Sequence, residues 1–230
     1  MRIATFAVVI VVTMLSVSAD AASIEPADQA RIEQDAVKAY LAKTQTDQRS
    51  ASDRLVASWS SALYSDPGSG VIGNPNGDVT IVEFFDYNCP FSRAVEPRLA
   101  ALVKADSGVK LILKEFTIEQ VASTPIAARA ALASIMQGKY EQFHQAMMTT
   151  RRALQPSDVF EIAGSVGLDV ERLRKDMEAP VIYNQIIENF NLARALRIFQ
   201  TPTFIIDGHI ITDPSAQIDF PKLVAAARAK

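Results

Sequence analysis

Cysteine and histidine are scarce in this sequence, which has one cysteine, Cys89, and two histidines among its 230 residues. One thiol cannot form a disulfide within the chain, and two histidines with one cysteine offer no spacing for a structural zinc site. Phosphate-binding glycine loops, serine-nucleophile elbows and internal repeats are also missing. The cysteine is therefore a buried structural thiol, a crosslink between chains or a reactive group.

Excess charge and long apolar segments are missing as well. The 23 Lys and Arg side chains stand against 26 Asp and Glu, a formal net charge of −3, so the composition does not favour nucleic acid as a partner. The apolar run at 3–17 is shorter than the ~20 residues of a membrane-spanning helix. Because small residues in an A-x-A arrangement follow it, we predict a signal peptide over 1–22 and export to the periplasm; a membrane anchor is the alternative.

Apolar side chains recur at helical spacing in the segment that follows, from Ile32 to Tyr40 and again from Leu55 to Leu63. The polar stretch at 43–52 predicts a break between two helices. Because both helices are amphipathic, they pack either on the main domain or on copies of themselves in a homo-oligomer. We therefore predict a helical extension at 23–66, a candidate oligomerisation segment, followed by the main domain at 67–230.

The stretch at 79–93 places the cysteine where a strand leads into a helix. A β-branched and aromatic run ends just before Cys89, and Pro90 follows in the first helical turn, where proline is well tolerated. Free backbone N–H groups and the helix dipole favour a thiolate over a thiol at such a position. The second sulfur of a C-x-x-C dithiol would stand at position 92, where this chain has Ser92.

The remaining chain predicts an α/β fold. Residues 109–116 form a second strand, and the strand-helix-strand order predicts a parallel βαβ unit. Residues 118–197 carry almost only helical signal and predict an inserted helical subdomain. Two apolar strands joined by Asp-Gly within 201–211 predict a hairpin, and a last helix covers 218–229.

Four motifs of this chain recur together in a known family: EFFDYNCP at 83–90, Pro97, the segment from Gly138 to His144, and the segment from Thr201 to Phe204. They resemble the DsbA-like branch of the thioredoxin superfamily, of the ScsC and Com1 type, and the resemblance covers about 67–230. It implies a thioredoxin fold with an inserted helical subdomain and an N-terminal helical extension. It also implies thiol-disulfide oxidoreductase or isomerase activity, and some members oligomerise through the N-terminal segment.

The resemblance also assigns candidate site residues. Cys89 matches the nucleophile, and Thr201-Pro202 matches the family's cis-proline peptide, which lies opposite the cysteine and orients the substrate backbone. Glu83 matches a buried acid beneath the site that serves in proton transfer; the alternative for Glu83 is a surface position on an edge strand.

Aromatic residues near both motifs are candidates for a protein-substrate groove. Tyr87, Phe91, Pro202 and Phe204 are expected to form an apolar rim around the thiol, unless two of the four belong to the core. His144 is expected to be a packed core residue.

Ser92 departs from the family pattern. A dithiol enzyme releases a mixed disulfide with its second cysteine, and serine cannot do so; release must come from the client's own thiol or from a small thiol such as glutathione. Ser92 either donates a hydrogen bond to the thiolate or satisfies backbone. We predict a monothiol oxidoreductase or isomerase without resident cofactor or metal. Its partners are cysteine-containing client proteins and a redox partner thiol protein. The alternative is a redox-inactive DsbA-like binding or chaperone module.

Overall fold

The computed structural model describes residues 26–116, 126–150, 152–212 and 217–229. The chain divides into two compact units, Met1–Ala51 and Ser52–Lys230. The signal peptide predicted at 1–22 lies outside the described residues. Within the described ranges, no helix combines the length and the apolar character that crossing a membrane requires.

Helix α1 runs without interruption from Pro26 to Ser58, so the predicted break at 43–52 is wrong. That polar stretch contains neither proline nor glycine. The hydroxyls of Thr44 and Thr46 donate to the carbonyl oxygens four residues earlier, at 2.9 and 3.0 Å. Polar side chains that bond back to their own helix do not end it.

A five-stranded sheet has the order β1-β3-β2-β4-β5. Strands β2 and β3 are parallel, and the other neighbouring strands are antiparallel. The predicted parallel βαβ unit and the hairpin are confirmed. Asp207 and Gly208 connect the hairpin with positive φ angles of 52° and 76°, which a two-residue hairpin turn of this kind requires. The strands are β1 Gly70–Gly73, β2 Val79–Phe85, β3 Val109–Glu115, β4 Thr203–Ile206 and β5 His209–Ile211.

Five α-helices and a short 3₁₀ helix, Ile135–Gln137, lie between β3 and β4 in the described part of the chain and form the inserted helical subdomain. The predicted start of this insertion at 118 falls outside the described residues. The helices after α1 are α2 Ser60–Tyr64, α3 Pro90–Ala105, α4 Ile126–Ser134, α5 Tyr140–Met148, α6 Pro156–Ser165, α7 Val170–Asp176, α8 Pro180–Ala195 and α9 Phe220–Arg228.

The sheet separates two hydrophobic layers. In β2, Ile81 and Phe85 belong to the layer that includes α3 and α5, whereas Val82 and Phe84 belong to the layer on the other face. Glu83 shares the face of Ile81 and Phe85 because side chains alternate along a strand. This alternation puts a carboxyl group into the layer beneath the helix that begins after Cys89.

Candidate active site

Cys89 is the N-cap residue of α3, and Pro90 occupies the first helical turn, as the sequence predicts. The thiol is half-buried, and its Sγ lies 3.3 Å from the carbonyl oxygen of Thr201. The Thr201-Pro202 peptide bond is cis. The fold thus brings together two motifs that lie 112 positions apart in the chain.

Ser92 is fully buried one helical turn after the cysteine. Its Oγ accepts a hydrogen bond from the backbone N–H of Asp86 at 3.5 Å. Of the two alternatives for this hydroxyl, the structure shows the bond to backbone. The side chain therefore helps to hold the loop in front of the cysteine.

Glu83 is fully buried, which removes the alternative of a surface position on an edge strand. Neither carboxylate oxygen has a hydrogen-bond partner among the described residues. Burial raises the pKa of Glu83 well above its usual range, and the nearby charges of Glu96 and then Cys89 raise it further. Burial of this kind favours the protonated, neutral form of the carboxyl.

Tyr87 belongs to the core rather than to a substrate groove. Its side chain is 3% exposed, and its ring packs edge-to-face on Phe85 with centroids 4.9 Å apart. The hydroxyl lies 2.9 Å from His144 Nδ1. The predicted substrate contact of Tyr87 does not fit this burial, because the residue continues the inward face of β2 beyond the end of the strand.

The Thioredoxin family profile matches residues 65–226. The chain belongs to the thioredoxin family. Among solved structures it is similar to a thioredoxin-like oxidoreductase from Silicibacter pomeroyi, with 41% identity over 74% of this chain and 98% of that chain and a TM-score of 0.67. The fold is that of the DsbA-like branch.

Two further solved structures are below 25% identity and show the fold alone. The catalytic domain of Proteus mirabilis ScsC is 24% identical over 77% of this chain and 99% of that chain, with a TM-score of 0.67. The thiol-disulfide exchange protein alpha-DsbA2 from Wolbachia pipientis is 23% identical over 78% of this chain and 96% of that chain, with a TM-score of 0.70.

Curated relatives match over a limited part of their length. A Na(+)/H(+) antiporter NhaA 3 from Salinispora tropica is 27% identical over 139 residues, which is 60% of this chain and 21% of the antiporter. The chain spans about a fifth of the length of the curated relatives it matches.

The apolar rim of this thioredoxin-family protein differs from the predicted one. Phe91, two residues after Cys89, is 50% exposed, whereas Pro202 and Phe204 are buried. Phe199, two residues before Thr201, is 67% exposed. Sequence reasoning missed Phe199, although an aromatic residue two positions before the Thr-Pro pair was a usable signal.

Sequence reasoning also missed buried carboxyl groups near the site. Glu96 lies on α3, four residues after Ser92, and its Oε2 is 3.3 Å from Nε2 of the buried His144. Glu115 ends β3 and accepts a hydrogen bond from Tyr140 at 2.8 Å, and burial raises its pKa to about 7. The usable signal for Glu96 was helical spacing, because residues four apart share a face.

The loop in front of the cysteine is tied to the helical subdomain. Arg93 Nε donates to the carbonyl oxygen of Tyr87 at 2.6 Å, and its Nη1 donates to the carbonyl oxygen of Arg152 at 2.6 Å. Asn88 Oδ1 accepts from the backbone N–H of Leu154 at 2.8 Å. These bonds tie the residues before and after Cys89 in the chain to the segment at 152–154. Among the described residues, no group of three metal-ligating side chains is present.

Proposed function

We propose that this protein is an exported monothiol thiol-disulfide oxidoreductase or isomerase that acts on protein disulfides. The contact of 3.3 Å between Cys89 Sγ and the Thr201 carbonyl oxygen supports the proposal most. It sets a half-buried thiol at a helix N-terminus beside backbone that an extended client segment can pair with. The apolar run at 3–17 supports export.

The reaction begins when the Cys89 thiolate attacks one sulfur of a client disulfide. A mixed disulfide forms, and the other client sulfur leaves as a thiolate. In isomerisation, another client thiolate attacks the mixed disulfide and restores the Cys89 thiolate, so no net electrons move. In reduction, one glutathione releases the reduced client and a second one frees Cys89, which gives glutathione disulfide.

The surrounding residues have separate roles in this proposal. The backbone N–H groups of the first turn of α3, which Pro90 helps to start, stabilise the thiolate. Thr201 and Pro202 orient the client backbone, and Phe91 packs against apolar client side chains. Burial favours the neutral form of Glu83, and in this proposal Glu83 supplies a proton to a leaving sulfur.

A binding or chaperone module is the second candidate. The exposed rings of Phe91 and Phe199, at 50% and 67%, favour it, because they offer apolar contact to an unfolded client. Ser92 favours it too, since a site without a second sulfur cannot release clients by itself.

Scrambled ribonuclease in a glutathione buffer distinguishes the two candidates. We expect the protein to restore ribonuclease activity at several times the rate of the buffer alone, and Cys89→Ala to lower the rate to that of the buffer. Equal rates for the protein and Cys89→Ala would refute the catalytic proposal. Equal binding of scrambled ribonuclease by both, without reshuffling, would support the binding module.

Helix α1 carries apolar side chains in its N-terminal half that stay in contact with solvent. Val37, Tyr40 and Leu41 are 38, 47 and 53% exposed, and they share one side of the helix. We propose that this side joins copies of the chain in a homo-oligomer.

Sedimentation of the full mature chain tests the oligomer. We expect a mass that is a multiple of the monomer, and a monomeric mass for the double variant Val37→Glu with Leu41→Glu, because buried carboxylates oppose association. Ala42→Glu, on the opposite side of the helix, serves as the control and should keep the oligomer. A monomeric mass for the unsubstituted chain would contradict the proposal.

A further inference from the structure

One arginine side chain, that of Arg93, connects the residues in front of the cysteine to a distant part of the chain. Arg93 lies on α3, four residues after Cys89, and is half-buried. Its Nε donates to the carbonyl oxygen of Tyr87 at 2.6 Å, and its Nη1 donates to the carbonyl oxygens of Thr150 and Arg152. The guanidinium therefore bonds the approach to the thiol and the chain between α5 and α6 at the same time.

Asn88 makes a second connection between the same two parts of the chain. It directly precedes Cys89, and its Oδ1 accepts from the backbone N–H of Leu154 at 2.8 Å. Its own backbone N–H donates to Asp86 Oδ1 at 2.7 Å. We call the hydrogen bonds made by the side chains of Arg93 and Asn88 the brace.

The far end of the brace is anchored in the helical subdomain. Leu154 is buried and belongs to the hydrophobic layer that includes α3 and α5. Arg152 donates through both terminal nitrogens to the carboxylate of Asp158 on α6, at 2.8 and 2.6 Å. Asp158 also accepts from the backbone N–H of Gln155 at 2.9 Å. The core and α6 thus give the brace a fixed support.

The near end of the brace sets the place of the thiol. Cys89 is the N-cap residue of α3, and the N–H groups of the first turn stabilise a thiolate when the sulfur lies against them. The helix holds Cys89 from its C-terminal side, through the bond of 3.1 Å from the Arg93 N–H to the Cys89 carbonyl oxygen. Tyr87 and Asn88 lie outside the helix, so the brace holds the cysteine from the other side.

We infer that Arg93 is a positioning residue for Cys89: by bonding Tyr87 to the chain between α5 and α6, its guanidinium holds the cysteine where the first turn of α3 stabilises a thiolate. The inference rests on the proposed function, whose nucleophile it concerns. A planar guanidinium donates in several fixed directions, whereas a lysine ammonium carries the same charge as a single point. Substitution can therefore separate the geometry of Arg93 from its charge.

Arg93→Met removes the fork and the charge, and Arg93→Lys removes the fork alone. We expect the pH at which iodoacetamide alkylation reaches half of its maximal rate to rise by about one unit in Arg93→Met, because the sulfur leaves the helix N–H groups. At neutral pH the rate should fall about threefold, since an about tenfold smaller thiolate fraction is partly offset by higher nucleophilicity. Arg93→Lys should show most of this shift. Cys89 is the only thiol of the chain, so the rate reports on this sulfur alone.

Arg129→Met is the matched control. Arg129 on α4 is also half-buried, and like Arg93 it has one buried N–H group without a partner among the described residues. It bonds Glu178 and Tyr183 instead of the residues near the thiol. Its alkylation profile should superimpose on that of the unsubstituted protein. An unshifted profile in Arg93→Met, or full recovery of the original profile in Arg93→Lys, would overturn the inference.

Asn88→Ala tests the brace while Arg93 stays in place. It removes the acceptor of the Leu154 N–H, and we expect a smaller shift in the same direction, because one neutral hydrogen bond is lost. Near-ultraviolet circular dichroism shows whether each variant is folded. If Arg93→Met does not fold, Arg93→Lys and Asn88→Ala take its place, and unshifted profiles in both would overturn the inference.

Failure of the proposed function would look different. Alkylation requires neither client nor turnover, so a protein that shows these shifts but does not reshuffle ribonuclease loses the proposed function and keeps the positioning role of Arg93. A protein that reshuffles ribonuclease but shows no shift in Arg93→Met keeps the function and loses the positioning role.

Discussion

Ser92→Cys is expected to turn the single-thiol site into a dithiol. With glutathione disulfide, the unsubstituted protein should stop at one mixed disulfide between Cys89 and glutathione. In the variant, the introduced sulfur attacks that mixed disulfide, glutathione leaves as a thiolate, and an internal disulfide forms. Intact mass spectrometry distinguishes the outcomes, since one product carries glutathione and the other has lost two hydrogens.

The position of Ser92 explains why we expect the variant to fold. The residue lies in the first turn of α3, three residues after the half-buried Cys89. Its hydroxyl accepts only a long hydrogen bond of 3.5 Å from the Asp86 N–H. Sulfur is a weak hydrogen-bond acceptor. Replacing the hydroxyl by a thiol therefore weakens only this one long bond of the native state.

A thiol placed elsewhere is the control for this prediction. Ser61 is exposed on α2, whose Leu63 packs on the other face of the sheet from Glu83. Ser61→Cys should bind glutathione at each thiol and form no internal disulfide. We expect only Ser92→Cys to oxidise reduced ribonuclease directly. If Ser92→Cys retains glutathione on Cys89 as the unsubstituted protein does, the proposed geometry of the site is wrong.

Lys114→Ala is expected to lower the free energy of unfolding by about 3 kcal/mol. The Lys114 side chain is 1% exposed, and its Nζ donates to Asp66 Oδ2 at 2.6 Å and to the Ala62 carbonyl oxygen at 2.8 Å. Removing it leaves a largely buried carboxylate without its cation and opens space in the core. Urea unfolding of the full mature chain measures the change.

The remaining partners of Asp66 set the size of this effect. Its carboxylate still accepts from the Gly68 N–H, the Ser69 hydroxyl and the Gln185 amide. The double variant Lys114→Met with Asp66→Asn should lower the free energy of unfolding less than Lys114→Ala does, because no buried charge is left unpaired. Lys222→Ala on the exposed side of α9 is the control. If Lys114→Ala loses no more free energy of unfolding than Lys222→Ala, the prediction is refuted.

At acidic pH, the difference in free energy of unfolding between the unsubstituted protein and Lys114→Ala should become smaller. Burial tends to raise the pKa of Asp66, but hydrogen bonds from Lys114 and the Gly68 N–H outweigh it, and the net shift is downward. Because the folded value is lower than the unfolded value of ~3.9, the pair stabilises the fold above that pH. This contribution is lost as the pH falls through the folded value. Unfolding curves from pH 7 to pH 3 test the sign.

Local patterns in the sequence predicted several elements that the structure confirms. The apolar run before Cys89, the proline after it and the Asp-Gly turn each depend on residues that are close in the chain. The continuous helix through 43–52 shows the limit of this reasoning. A polar stretch without proline or glycine has no local feature that ends a helix, so polarity alone was a poor predictor of a break.

The sequence by itself determined a single thiol at the start of a helix, a missing second sulfur at Ser92, and a Thr-Pro motif of the DsbA-like branch. Only the tertiary structure decided which buried groups meet behind that thiol. His144 lies 48 positions from Glu96 and 57 from Tyr87 along the chain. Their contact depends on how α5 packs against α3 and the end of β2, and this packing arises from side-chain complementarity across the whole core rather than from any local pattern.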